Sequence, residues 1–244
     1  MDRRAEAREH LDGPLDDLPT VAGNLRDLRR FNRLFGGVAL SRWGVNRLLD
    51  GTAGASILDL GTGGADIPVA LLADARWRGR TVTVTAVDNR PEILAAARLA
   101  RPVLDRVPGL RLGLVDSTRL PYASETFDIG HTSLVLHHLD EDAAVRFLAE
   151  LGRVSRRGVV VNDLQRGRLA WLGAWLLGRL LTRNRFTRDD APLSVRRAWT
   201  LDEMEVLLGR AGLRPIARRR DILGHRYAVV AVPPAPAGAA PGGS

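Results

Sequence analysis

The 244-residue chain is 45% hydrophobic and 26% charged, with a formal net charge of +8, a balance that supports one substantial α/β domain with an appended cap. It contains no Cys, which excludes disulfides, zinc–thiolate centres, thiol nucleophiles and iron–sulfur clusters. All 36 basic residues are Arg, so a Schiff-base lysine and a P-loop lysine are excluded as well.

The N-terminus, Met1 to His10, is charged rather than signal-like, and no segment reaches the roughly 18 apolar residues of a membrane span. The expectation is a cytoplasmic protein without stable membrane insertion. Leu25, Leu28, Phe31, Leu34 and Phe35 recur at helical spacing, and Ser41 is placed to cap a second helix reaching Leu49. Residues 1–50 therefore read as a helical prelude or lid. Next comes the apolar run Ser56 to Leu60, which carries Asp59 and breaks into Gly61-Thr62-Gly63 before a helical stretch from Ala65 to Ala75. This is a buried strand, a tight turn and a helix start.

A second strand, Thr81 to Val87, ends in Asp88-Asn89, and a helix is predicted over Pro91 to Arg101. Strands follow at Leu110 to Val115, Phe127 to Leu134 and Gly158 to Asn162, with a helix at Asp140 to Leu151 opened by acids that suit a helix N-terminus. Strand and helix alternate. The pattern implies a doubly wound, Rossmann-like sheet of seven strands, mostly parallel, with ligands at the carboxyl ends of the strands.

After Asn162 the rhythm changes to a long apolar helix, Leu169 to Leu181, and a polar loop, Thr182 to Arg197. Thr200-Leu201-Asp202-Glu203 is a capping box for a helix ending near Gly212. Leu213 to Arg218 and Gly224 to Val232 then read as closing strands, one of them antiparallel. The domain reading is 51–232, with a cap insertion at about 164–199. Residues 233–244, built of Pro, Gly and Ala with no core-forming side chains, read as a disordered tail.

A strand, a glycine turn and an acid about 22 residues further on bind either a dinucleotide or S-adenosylmethionine. A dinucleotide site needs G-x-G-x-x-G so that a pyrophosphate can rest on bare N–H groups, and here the third glycine position is Asp66. A carboxylate there repels a pyrophosphate. It tolerates a methyl donor whose amino-acid end carries an ammonium beside a sulfonium.

Several segments, in order, carry a resemblance. Asp59-Leu60-Gly61-Thr62-Gly63, Val87-Asp88, Val115-Asp116-Ser117 with Leu120-Pro121-Tyr122 and Phe127-Asp128, and Leu134-Val135-Leu136-His137-His138-Leu139 resemble a class I S-adenosylmethionine-dependent methyltransferase of the small-molecule, ubiquinone/menaquinone-biosynthesis-like type. The resemblance runs from about Ser56 to Val232. It implies S-adenosylmethionine as cofactor, bound by Asp59, Gly61, Thr62 and Gly63 at the loop, by Asp88 at the ribose and Asn89 beside the adenine. It also implies Asp116 and Ser117 at the adenine, and Thr132 and Ser133 near the methionine portion. One departure is Gly64-Ala65, where the family commonly has glycine in place of Ala65; a slight reshaping of the loop is expected.

The acceptor end is read from single residues. His137 and His138 are consecutive and point about 100° apart on a helix or turn, so only one can face a given substrate atom. An imidazole suits proton removal from a phenol, which makes His137 the candidate base, although surface and packing histidines are commoner than catalytic ones. Asp163, after the fifth strand, either orients a hydroxyl or caps the next helix. Arg166 and Arg168 either clamp an anionic acceptor or start a solvated helix. Trp171 and Trp175, four residues apart on one helix face, either line an acceptor pocket or pack on the N-terminal helices; an amphipathic membrane-surface helix is a third reading.

The expected activity is methyl transfer to a small aromatic or polyketide-derived acceptor, at oxygen rather than carbon. Such a transfer is an in-line displacement in which alignment and exclusion of water dominate. The alternatives are a non-methylating reaction on the same fold, a non-catalytic nucleoside-binding module, and nucleic-acid methylation. For the last, the arginines are dispersed, aromatics are few, and no N-P-P-Y-like segment occupies His131-Thr132-Ser133-Leu134. The expected partner is a small-molecule acceptor rather than nucleic acid, with the chain a monomer or homodimer and no metal site.

Overall fold

The structure is a computed structural model that describes Ala5 and residues 7–234. Seven strands form one sheet: β1 (Gly54–Leu60), β2 (Thr81–Asp88), β3 (Leu110–Leu114), β4 (Phe127–Ser133), β5 (Ser155–Leu164), β6 (Arg214–Arg220) and β7 (Arg226–Val232). Their order is β3-β2-β1-β4-β5-β7-β6. Neighbours from β3 through β5 run parallel, and β7 is antiparallel to both β5 and β6. The winding direction reverses between β1 and β4, which opens a crevice at the carboxyl ends of these strands.

The period of two along β1 splits the core. Ile57 packs into a cluster with Val21, Leu25, Ile67 and Leu71 on one face, while Leu58 and Leu60 pack with Leu148, Val161 and Met204 on the other. Burying each such aliphatic side chain contributes about 1.5–3 kcal/mol before chain entropy is set against it. Helices α1 (Leu18–Leu34), α2 (Gly37–Leu48), α3 (Asp66–Trp77) and α4 (Pro91–Ala100) precede β3. They are followed by α5 (Glu141–Arg153), α6 (Arg168–Leu180), α7 (Arg185–Arg197) and α8 (Leu201–Arg210). The capping box of α8 forms as expected: the Thr200 side chain accepts from the Glu203 amide, and Glu203 accepts from the Thr200 amide.

Three expectations are corrected. Ser41 does not cap α2; it lies inside the helix and fully buried, and the helix enters through Gly36 in the left-handed region at φ +83°. The stretch Thr182 to Arg197 is mostly helix rather than loop, with Asn184 as its cap, accepting from the Thr187 amide at 3.2 Å. Strand β5 reaches Leu164, so Asn162 and Asp163 sit within it rather than after it. Of the tail expected at 233–244, residues 235–244 lie outside the described residues. Among the described residues no helix is long and apolar enough to cross a membrane.

Candidate active site

A cavity of about 870 Å³ opens at the carboxyl ends of β1, β2, β4 and β5, within the range of about 300–1,000 Å³ typical of ligand pockets. Its first wall is the glycine loop. The amides of Gly61 and Thr62 both donate to the Val87 carbonyl at 2.9 Å, tying the loop to the end of β2. Asp88 Oδ2 accepts from the Gly63 amide at 3.0 Å, and Oδ1 from the Arg90 amide at 3.2 Å. Burial outweighs these bonds and holds the Asp88 carboxyl above the usual carboxylate range. Gly61 stands at φ +77°, and a Cβ there would come within 2.4 Å of Val135 Cγ2. Ala65, the departure noted in the sequence, takes up a left-handed conformation at φ +52°.

A nucleoside-type ligand fits this wall. Gly61, Gly63 and Gly64 put no side chain on the wall, and Thr62 Oγ1 is buried there with no hydrogen-bond partner among the described residues. An orphaned buried hydroxyl costs about 1–3 kcal/mol unless something meets it.

Beneath the loop runs a buried polar chain. Asp59 Oδ1 lies 2.5 Å from His131 Nδ1, His131 Nε2 lies 2.8 Å from Ser41 Oγ, and Asn162 Nδ2 donates to Ser41 Oγ at 2.7 Å. Arg226 Nε donates to Asn162 Oδ1 at 2.7 Å, and its two amino groups donate to Asn32 Oδ1 and Ser133 Oγ. Burial lowers the Arg226 guanidinium to a pKa of about 10 against the opposing pull of Asp163, Asp66 and Asp221. Since each member is held by the next, the chain fixes the geometry of the loop from below.

The second wall holds the histidines. After β4 the chain turns through Leu134 at φ +59°, and a single 3₁₀ turn, Leu136–His138, presents both rings. Trp199 Nε1 donates to the Leu136 carbonyl at 2.9 Å and anchors that turn. His137 Nδ1 meets Asp163 Oδ1 at 2.7 Å, while Asp163 also accepts from the amides of Leu136 and Leu164. Burial disfavours the Asp163 charge, yet His137, the Leu164 amide and Arg226 keep its carboxyl below the usual range. An anionic Asp163 receives the Nδ1–H of His137, which turns Nε2 toward the Glu9 side of the chamber.

The third wall is a segment that the sequence reading treated only as charged. Glu9 Oε1 lies 3.9 Å from His137 Nε2 and Glu9 Oε2 lies 3.9 Å from His138 Nε2. Asp12 Oδ1 lies 2.7 Å from His138 Nδ1. Ser194 Oγ donates to Glu9 at 2.7 Å, and the Arg197 guanidinium contacts both Glu9 and Asp12. Burial pushes the Glu9 carboxyl up to about 7 despite His138, Ser194 and Arg197. Asp12, half-buried, goes the other way, held well below the usual range by His138 and Arg197. Glu9, His137 and His138 bring one potential ligand atom each within 4.8 Å of one another; the Arg197 cation occupies the carboxylate side of that group. The only sign of this wall in the sequence was acidic residues ahead of the first helix.

Asp59, Gly61, Thr62, Gly63, Asp88, Asn89, Ser117, Ser133 and His137 all lie on the wall of this one cavity. Asp163 stands directly behind His137. The other predicted site residues are not brought there. Asp116 is exposed and closes its own turn, accepting from the Thr118 amide and hydroxyl at 2.8 and 2.7 Å. Thr132 is buried and spends its hydroxyl on the Leu60 carbonyl. Trp171, Trp175 and Arg168 are off the wall: α6 meets the cavity with Leu169 at its rim and with Ala170, Gly173, Ala174 and Leu177, while Trp175 stacks under the Arg179 guanidinium at 4.3 Å. Arg166 is no clamp either, since it donates to the Ala198 carbonyl and pairs with Glu203.

Fold and site define an α/β protein of the doubly wound class with a glycine loop and an acid–histidine pair on one chamber. Residues 57–158 match the family model described as a methyltransferase domain. Residues 57–158 thus carry a methyltransferase domain, and the chain has the fold of the S-adenosylmethionine-dependent methyltransferases among the solved structures it resembles. No curated protein matches it in sequence. Among solved structures it is similar to a SAM-dependent methyltransferase from Aquifex aeolicus, at 19% identity and a TM-score of 0.61, covering 86% of this chain and 97% of that one. It is also similar to an O-methyltransferase family 2 protein from Planctomyces limnophilus in complex with apigenin, at 16% identity, TM-score 0.63 and coverage of 89% and 62%. Human N-acetylserotonin methyltransferase in complex with SAM matches at 16% identity, TM-score 0.62 and coverage of 93% and 63%. The chain thus spans about three fifths of the length of these last two proteins.

Proposed function

We propose that the protein methylates a hydroxyl of a small aromatic or polyketide-derived acceptor. The observation that carries this reading is the His137–Asp163 pair at 2.7 Å on the same cavity as the glycine loop. S-adenosylmethionine, when bound, supplies a sulfonium-activated methyl group. Gly61, Thr62 and Gly63 bind its amino-acid end and Asp88 its ribose, with Asn89 and Ser117 toward the adenine.

The residues of the second wall then serve the acceptor. Asp163 holds the His137 ring in one tautomer, and Nε2 takes the hydroxyl proton as oxygen attacks the methyl carbon; the oxygen–carbon bond forms, the sulfur–carbon bond breaks, and its electron pair stays on sulfur. A carbon nucleophile acidified by its own conjugation would need less of this assistance, which is why a histidine–carboxylate pair favours oxygen. Leu28, Phe31, Leu139 and Phe147 on the wall suit a flat apolar acceptor, and the segment 164–199 serves as its cap, excluding water from the displacement. That a structurally similar protein was crystallised with the phenolic compound apigenin supports the choice of acceptor class.

Incubating the purified protein with labelled methyl donor and a panel of phenols and quinols tests the proposal. Transfer to an oxygen of at least one compound, lost in His137→Asn, is the expected result. Adenosylhomocysteine binding without transfer to any of them overturns it.

A further inference from the structure

Helix α6 presents apolar side chains in two directions. One side closes the cavity, whereas Leu172, Leu176 and Leu180 recur at four-residue spacing on a side that faces out, Leu180 at 70% exposure. With Leu169, 85% exposed, this stripe runs about 16 Å along the helix. A helix surface facing water is ordinarily polar.

The stripe is part of a collar. Leu34, 63% exposed, ends α1 next to Phe35 on the cavity wall, and the turn between β6 and β7 carries Ile222 and Leu223, the latter 72% exposed and itself on the wall. Three separate elements thus place large aliphatic side chains around one opening, which single scattered surface leucines do not do.

The exposed charge on the two helices of the collar has one sign, while Asp221, beside Ile222 in the third element, is spent on the Leu223 and Arg226 amides. Arg29, Arg30 and Arg33 are exposed on α1, Arg168 and Arg179 on α6, and α6 contains no acid. Arg30 ties the two helices by donating to the Leu181 carbonyl at 3.2 Å. Asp27, the one acid in residues 26–34, is spent on the hydroxyls of Thr182 and Thr187. A two-fold pairing with a second copy through α6 would set these arginines against their own equivalents. An anionic lipid surface meets both the leucines and the arginines.

We propose that the mouth of the cavity docks on anionic lipid bilayers, the α6 leucines entering the headgroup–acyl boundary and the arginines pairing with lipid phosphates. Resting on the acceptor-methylating reading above, this names the acceptor class further: a lipophilic hydroxylated compound that passes from the bilayer into the chamber without crossing water.

Flotation with vesicles of phosphatidylcholine, alone or mixed with phosphatidylglycerol, tests it. The wild type is expected to float with the anionic vesicles only, less so as salt rises, and the Leu172→Glu/Leu176→Glu variant to lose about tenfold or more of the bound fraction. Adenosylhomocysteine binding by calorimetry should be equal in both, showing the fold intact. No flotation of the wild type, or equal flotation of the variant, overturns the proposal; so does a wild-type dimer in light scattering that the variant dissolves while vesicles stay unbound. Flotation as expected in a protein that methylates none of the phenols leaves docking standing and sinks the reaction instead.

Discussion

His137 and Asp163 come from different strand ends, the turn after β4 and the last residues of β5, and meet at 2.7 Å because those two strands are paired parallel neighbours. Replacing His137 by Asn should lower kcat on a hydroxyl acceptor by about 10²–10⁴-fold. Adenosylhomocysteine affinity should stay within about twofold. Asp163→Asn should lower kcat through the wrong tautomer. Steady-state kinetics, with calorimetry alongside, reads all three.

Glu9 gives the protein a stability that depends on pH. In the folded protein it ionises at about 7, against an ordinary glutamate value of 4.5. Between those values the folded state holds a proton that the unfolded chain has released, so this group's contribution to stability declines as pH rises through the window, by roughly 3 kcal/mol in total. Above pH 7 it stays lost. Glu9→Gln should therefore match the wild type in urea denaturation at pH 4.5 and exceed it at pH 8.

Gly61→Ala should cost methyl-donor binding more than folding. The left-handed backbone alone costs a non-glycine residue about 1–2 kcal/mol, and the added methyl meets Val135 at 2.4 Å, so the loop must shift. Titration calorimetry should show adenosylhomocysteine binding weakened by about tenfold or more.

Gly173 and Trp175, both on α6, should respond in opposite ways. A Cβ at Gly173 meets nothing within 4 Å, and the residue lies on the cavity wall. Gly173→Leu should therefore fill acceptor space and raise the acceptor KM by about tenfold, leaving the affinity for adenosylhomocysteine alone. Trp175→Ala should leave acceptor KM within about twofold. An acceptor KM that responds to Trp175 and ignores Gly173 would refute the wall assignment.

Every strand was legible in the sequence to within a few residues, because apolar runs ending in Gly61 and Asp88 are local signals. The glycine loop was legible for the same reason. What escaped was polar and long-range. Helix α7 buries Phe186, Thr187, Asp190, Ser194, Val195 and Arg197, but four of the six are polar, so a search for apolar periodicity passes over it; Pro192 inside the helix reinforces the error. Trp171 and Trp175 were assigned by hydrophobicity, whereas the cavity is faced by Ala170, Gly173 and Ala174, whose small size makes the room. Glu9 and Asp12 find their partners more than 120 residues away in the chain, and no local pattern encodes that meeting.

Arg90 holds a last consequence. Two positions beyond Asp88, it reaches back to grip the carbonyls of Leu11 and Gly13 at 3.1 and 2.9 Å, and so buckles the strap bearing Glu9 across the chamber. The far end of the strap is thereby tethered to the turn that follows Asp88, so a displacement at one of these two chamber walls is transmitted to the other.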